Sequence, residues 1–454
     1  MAAFRKVVIG LGLMSLASVS VQVSANPFAE LEAATRGQAS GNAGMATDFE
    51  EYRHAHLQAF ESYKEMVRRE YEEFLDLYKE VSSAYLERIA DVWSSPEESS
   101  RTRWVQYDDD YQERRVVDFE RRMITISSPT GERELSEEKA RAAAEELLEM
   151  TRKDAFEKDE VATAVEKESR ERFKSLEVAT LDEQPVLMSF LLGEKASEPE
   201  EQERIKKAVL SAPARKAGTE KGQKIVSWSF PMEASAESRN SGIVEPQDVE
   251  SEPQFASAMS PRSIAPGQIE RLPARARPFV DAINRENQAF ELSTPLLLAI
   301  METESAFNPM ARSPIPAFGL MQIVPSSAGQ DATEKLFGEA RLLAPSFLYN
   351  PENNIQVGAA YFNILFYRYF KGIEDPVVRL YCAIAAYNTG PGNVSRALTG
   401  SSMALRPAIR IANTMSPEQV YQHLLTNLPY EETVNYLKKV TARMARFEEV
   451  VSGG

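Results

Sequence analysis

Between residues 46 and 95 the chain has no proline or glycine, and its apolar residues return every three or four positions. They include Phe49, Tyr52, Phe60, Tyr63, Val67, Tyr71, Phe74, Tyr78, Val81, Tyr85, Ile89 and Val92, with Glu, Lys and Arg between them. That spacing predicts one long amphipathic helix or a helical hairpin, with the aromatic stripe as a packing face. After Pro96 the period changes. "RWVQYDDDYQERRVVDFERRMITIS" breaks into short β-type runs, Ser136 opens a capped charged helix, and "KIVSWSFPM" reads as another strand. Residues 96–232 are therefore expected to form a small α+β domain, with no catalytic group of their own. Ser, Pro, Glu and Ala dominate 233–268, which predicts a disordered linker. From 269 to 454 helical periodicity returns, cut by Gly/Pro turns.

Within that last segment, "STPLLLAIMETESAFNP" predicts a helix with Thr294 as cap and Pro295 at its first position, ending near Asn308-Pro309. Leu297, Ile300, Met301, Glu304 and Phe307 fall in one stripe, so Glu304 occupies a place the pattern reserves for the core. Glu302 is rotated by about 200° from it. A buried carboxylate is costly when ionised, so its pKa should rise, as suits a general acid near neutral pH. A carboxylate that merely caps or pairs at a surface would give the same pattern. "PENNIQVGAAYFNILFYRYF" predicts another helix, capped by Asn350, begun by Pro351 and packed closely at Gly358.

Composition narrows the chemistry. A net charge of −16 argues against nucleic acid as a partner. His54, His56 and His423 offer no metal-ligand spacing, and no metal or cofactor is expected. The single cysteine, Cys382, lies in an apolar run and reads as core. Residues 1–25 have a basic start, an apolar stretch and "VSA" before Asn26, which predicts an export signal. No cysteine lies near that cleavage point, so no lipid attachment is expected there. No later apolar run reaches 18 residues, so the exported protein is expected to be periplasmic, with at most peripheral membrane contact.

Four motifs follow one another in the last segment: E-S-x-F-N-P at Glu304, G-L-M-Q-I at Gly319, A-Y-N-x-G at Ala386 and P-Y-x-E-T-x-x-Y at Pro429. In this order they resemble the lytic transglycosylase family with a soluble-lytic-transglycosylase, goose-lysozyme-like domain, over about residues 270–445. The region before them resembles, more loosely, the N-terminal part of membrane-bound members, which are lipoproteins. The resemblance implies an all-α lysozyme-like catalytic domain with a groove, preceded by the long helix (26–95) and the small α+β domain. It implies peptidoglycan glycan strands as substrate and Glu304 as sole acid/base. Ser313 would orient the N-acetyl group. Gly319, Leu320, Met321 and Gln322 would form the groove-lining turn, Tyr387 and Asn388 a polar tip, and Tyr436 would face the acid. Phe307, Phe318 and Tyr387 suit pyranose faces. Glu432 is the only rival carboxylate and reads as structural. Each residue also has a plainer reading, as turn glycine or core aromatic. Two other function classes remain open at this point: a hydrolytic muramidase and a non-catalytic wall-binding protein.

Overall fold

The computed structural model describes residues 43–130, 135–212, 215–232 and 263–452. The expected export signal at 1–25 and most of the expected linker at 233–268 lie outside them. From Ser263 onward the chain is already docked: Ile264 is buried and its N–H donates to Asn284 Oδ1 at 2.9 Å.

Residues Ala43–Ala90 form one unbroken helix of 48 residues, not a hairpin, about 72 Å long at 1.5 Å per residue. Val67, Phe74, Tyr78, Tyr85 and Ile89 line its buried stripe, as the spacing predicts. Five strands then form an antiparallel sheet: β1 (Arg103–Tyr107), β2 (Arg114–Asp118), β3 (Met123–Pro129), β5 (Arg215–Glu220) and β6 (Gln223–Pro231), in the order β1-β2-β3-β6-β5. The β3–β6 register pairs Thr125 with Ser229 and Ser127 with Ser227, whose hydroxyls meet at 3.0 and 2.9 Å. Such cross-strand pairs favour one register over a slipped one. The helix Glu137–Glu149 starts on Ser136, as the capping pattern predicts, and buries Ala140, Ala144, Leu147 and Leu148.

The last segment is all-α apart from a two-residue strand, β7 (Leu342–Leu343). Helix Thr294–Ser305 packs against helix Glu431–Ser452. It starts one residue earlier than expected, because Ser293 and not Thr294 supplies the capping oxygen. It also stops sooner. Ala306 and Phe307 both adopt left-handed φ, 52° and 64°, which closes the helix before the Asn308-Pro309 restriction can act. Almost every side of this helix is buried, so the core is not confined to one stripe. Helix Pro351–Ile364 is capped by Asn350 as predicted, and a Cβ on Gly358 would lie 2.4 Å from Met321 Sδ.

The described residues from Lys64 onward form one compact unit. The segments on either side of 233–262 share several contacts. β4 (Leu176–Glu177) pairs in parallel with β7. The Ser346 N–H donates to Glu166 Oε2 at 2.9 Å, and Tyr349 Oη donates to Asp159 Oδ2 at 3.2 Å. Among the described residues no helix is long and apolar enough to cross a membrane.

Candidate active site

Both glutamates of the "METES" run are buried, at 6% and 5% exposure, so burial alone does not distinguish them. Their partners do. Burial acts to raise the pKa of Glu302, but Arg275, Arg446 and Arg443 outweigh it and hold the carboxyl below the usual range. Arg275 Nη2 lies 2.6 Å from Glu302 Oε1, and Arg446 also bonds the carboxylate. Glu302 was expected only to lie off the Glu304 stripe; in fact it anchors a buried ionic cluster. Glu304 has no such surplus of cations. Burial raises its pKa to about 7, Arg101 and Tyr436 acting against that rise and Glu432 adding to it. A carboxyl that titrates near neutrality can both give and take a proton there.

The four sequence motifs are stitched to one another. Ser305 Oγ donates to the Leu320 carbonyl at 2.8 Å, joining the glutamate helix to the G-L-M-Q turn. Tyr387 Oη donates to the Met321 carbonyl at 3.0 Å. Thr433 Oγ1 donates to Asn388 Oδ1 at 2.7 Å, bringing in helix Glu431–Ser452. Tyr436, on that helix, faces Glu304. Its buried hydroxyl is close enough to the carboxyl to lower the Glu304 pKa against the effect of burial. Tyr387 and Tyr436 both have pKa values pushed well up, first by burial and then by Glu304, so both remain neutral phenols.

The turn itself is a tight reversal in which Phe318 and Ile323 exchange backbone hydrogen bonds at 3.1 and 3.0 Å. Gly319 has φ +75°, and a Cβ there would meet Asn354 Nδ2 and the Leu348 carbonyl at 2.3 Å, so only glycine fits. Gln322 takes φ +48° without being glycine, a conformation that costs energy and collects at functional sites. Its Nε2 donates to the Gly319 carbonyl, while its buried Oε1 has no partner. Asn354 fixes the whole turn. It accepts from the Met321 N–H at 2.8 Å and donates to the Phe318 and Leu348 carbonyls, each at 2.8 Å.

Several expected positions differ. Leu320 and Met321 are fully buried, so the turn presents its backbone and Gln322, not these side chains. Phe307 and Phe318 are core residues and not sugar platforms. Phe307 stacks on Phe279 at 6.4 Å, and Phe318 sits edge-on between Tyr78 and Tyr349. Tyr387 is only partly buried, against Tyr361 and Phe362. Ser313 stands outside the stitched ring: its hydroxyl folds its own loop, donating to the Ile315 carbonyl and accepting from the Ala317 N–H at 3.3 Å. Cys382 is buried with its thiol pushed up to about 12, as a core residue should be.

Sequence reasoning missed Arg101, which it placed in a segment with no catalytic group. Arg101 Nη1 lies 3.7 Å from Glu304 Oε2, and Nη2 lies 2.8 Å from Glu432 Oε1. It also missed Arg312, buried beside the Ser313 loop. Arg312 Nη1 donates to Tyr78 Oη at 2.9 Å, with Glu98 and Asp159 as counter-charges at 3.5 Å each. Tyr78 in turn donates to the Ser313 carbonyl at 3.1 Å. No local pattern marks either arginine, since these partners all lie more than a hundred positions away.

Residues 281–405 match the family model described as Transglycosylase SLT domain. The membrane-bound lytic murein transglycosylase C of Pectobacterium atrosepticum is 40% identical over 184 residues, covering 40% of this chain and 50% of the relative. That of Sodalis glossinidius is 42% identical over 177 residues, covering 39% and 48%. Among solved structures, the 70 kDa soluble lytic transglycosylase of Escherichia coli aligns with a TM-score of 0.29 at 27% identity, over 39% of this chain and 25% of that one. The chain spans about half the length of the curated relatives it matches. Glu304, the G-L-M-Q turn and Tyr387 all lie inside the segment that matches the Transglycosylase SLT domain, and over this region the chain is similar to membrane-bound lytic murein transglycosylases C.

Proposed function

We propose that the protein is a lytic transglycosylase of peptidoglycan. It would cleave the bond between N-acetylmuramic acid and N-acetylglucosamine and leave 1,6-anhydro ends, with Glu304 as the single acid/base. The observation that carries this reading is the pairing of one buried carboxyl near pKa 7 with a rival that is already engaged. Ordinary glycosidases use two carboxyl groups, one of them to activate water or attack the sugar. Here Glu302 is held by three arginines and Glu432 by Arg101.

With one carboxyl, the substrate supplies the nucleophile. Glu304 protonates the glycosidic oxygen, and the C1–O bond breaks with help from the neighbouring N-acetyl carbonyl. The C6 hydroxyl of the same sugar then attacks C1, and the Glu304 carboxylate takes its proton. The acid is regenerated and no water is consumed. The tethered hydroxyl has an effective concentration far above that of a free nucleophile. Gln322 Oε1, buried and unpartnered, suits the N–H of an acetamido group, and the Tyr436 hydroxyl suits the developing charge beside Glu304. Ser313 orients the substrate through the loop it folds, and Asn388 with Tyr387 forms the polar floor. The export signal read at residues 1–25 suits a periplasmic wall substrate.

Mass spectrometry of digested glycan strands tests the reading. The expected ends are one water lighter than hydrolytic ends and resist borohydride, and Glu304→Gln abolishes them. Borohydride-reducible N-acetylmuramic acid ends would make the protein a muramidase, with Glu432 the carboxylate that activates water. Binding of sacculi without cleavage would make it a wall-binding protein.

A further inference from the structure

Arg101 reaches Glu304 from the other end of the chain, and its two bonds are unequal. Nη2 is tight on Glu432 at 2.8 Å, whereas Nη1 only approaches Glu304, at 3.7 Å. A close bidentate pair would fix Glu304 as a carboxylate and leave no acid. At 3.7 Å, with the cation's charge shared by Glu432, the acid stays within reach of both protonation states.

The loop that carries Arg101 is held on both flanks. The Ser100 N–H donates to the Arg103 carbonyl at 2.7 Å, and the Phe119 N–H donates to the Thr102 carbonyl at 2.9 Å, so the loop is an extension of the sheet. Ser99 Oγ accepts from the Val105 N–H at 2.9 Å. On the other flank the Ser100 carbonyl accepts from the Arg312 N–H at 3.4 Å, one residue before the Ser313 loop. The guanidinium itself is partly exposed, at 40%, so it stands at the mouth of the site and not in its wall.

We propose that Arg101 is a positioning residue for the reaction: delivered by the N-terminal sheet segment and braced by Glu432, it orients the Glu304 carboxyl and sets the balance between its acid and base forms. This rests on the reading of Glu304 as the acid/base. The groups that face Glu304 are few. Tyr436 and Glu432 come from helix Glu431–Ser452, Tyr387 from helix Pro376–Thr389, and Arg101 from the loop before β1. Glu302, on the same helix as Glu304, is turned to its own arginines. Both tyrosines stay neutral, so Arg101 and Glu432 are the charged pair, and they act with opposite signs. The guanidinium favours the carboxylate, which the second half of the reaction needs. Glu432 favours the acid, which the first half needs.

The opposite signs give a test that a merely structural role would not meet. The full-length protein is assayed on soluble peptidoglycan fragments, and kcat/KM is followed from pH 5 to 9. Activity requires protonated Glu304, so it falls as pH rises through about 7. Arg101→Gln should move that limb up by about one pH unit, because an opposite charge at this distance shifts a carboxyl by roughly that much or more. Arg101→Lys should hold it near the wild-type position, and Glu432→Gln should move it down. Titration of the Glu304 carboxyl by carbon-13 NMR reads the same shifts without turnover. If the fragments are not cleaved, or the ends are reducible, the functional reading fails while the titrations still judge Arg101. Limbs or titrations that do not move, or that move in the same direction for Arg101→Gln and Glu432→Gln, overturn the proposal.

Discussion

Glu302 and Glu304 differ by two positions on one helix, are equally buried, and have pKa values pushed in opposite directions. Their substitutions should therefore have opposite effects on stability. Glu304 has a folded pKa near 7 against an ordinary 4.5, so its favourable contribution is complete below pH 4.5 and is lost as pH rises through 7. Above that, the wild type holds an ionised, poorly compensated carboxylate. Glu304→Gln should then raise stability at pH 8 relative to pH 5, by on the order of 3 kcal/mol for a displacement of this size. Thermal melts at the two pH values check it; an equal effect at both would mean Glu304 is not perturbed. Glu302→Gln strands three arginines instead. It should cost about 3 kcal/mol at pH 7, as breaking buried ion pairs does, and urea unfolding measures it. Glu304 was legible in the sequence because a carboxylate in an apolar run needs a reason. The role of Glu302 was not, because Arg443 and Arg446 arrive from more than 140 positions further on.

Elements meet here through backbone-directed bonds, and the turn at 318–323 depends on one residue outside it. Asn354 satisfies one N–H and two carbonyls in a place closed to water. Asn354→Ala takes its partner from the Met321 N–H and one bond from each of the two carbonyls, the Phe318 carbonyl keeping the Ile323 N–H, and should cost on the order of 3 kcal/mol, at roughly 1–3 kcal/mol for each group left unsatisfied after relaxation. Glycan cleavage should fall with it, since Gln322 and the carbonyl that holds Tyr387 belong to that turn. Chemical denaturation and turnover measured on the same preparation check both; full activity in a destabilised variant would separate the turn from the site. Ser313→Ala should retain measurable activity where Glu304→Gln retains almost none, because Ser313 shapes a loop and transfers no proton. Equal abolition in two folded variants would contradict that division. The sequence displayed the turn by its G-L-M-Q letters and the glycine at its head. It hid Asn354, since an asparagine inside a helix has no period to violate. The glutamate helix ended early for a related reason: left-handed Ala306 and Phe307 obey the tertiary packing around them, not their own preferences.

Over the whole molecule, the described segments before and after 233–262 share buried charge. Arg312 depends on Tyr78, Glu98 and Asp159, all upstream, and Tyr349 on Asp159. A fragment limited to residues 263–454 would keep Arg312 and lose every one of those partners. It should unfold at lower denaturant than the full protein and cleave glycan more slowly, although it contains all four motifs; an undiminished fragment would show that the upstream segments are accessory. Composition suggests a division into parts at 233–268, but a Ser/Pro/Glu-rich stretch looks the same whether or not its neighbours touch. The interface could not, because it is built from scattered single residues. The helix Glu431–Ser452 adds a consequence in time. It carries Tyr436 and Glu432, and it covers one side of the helix that bears Glu304. A ribosome releases it last among the described elements, after the glutamate, the turn and Arg101 have all emerged. Until that helix has been added, a growing chain leaves this side of the Glu304 helix uncovered and lacks Tyr436 and Glu432, so the burial that raises the carboxyl's pKa is completed only when helix Glu431–Ser452 docks.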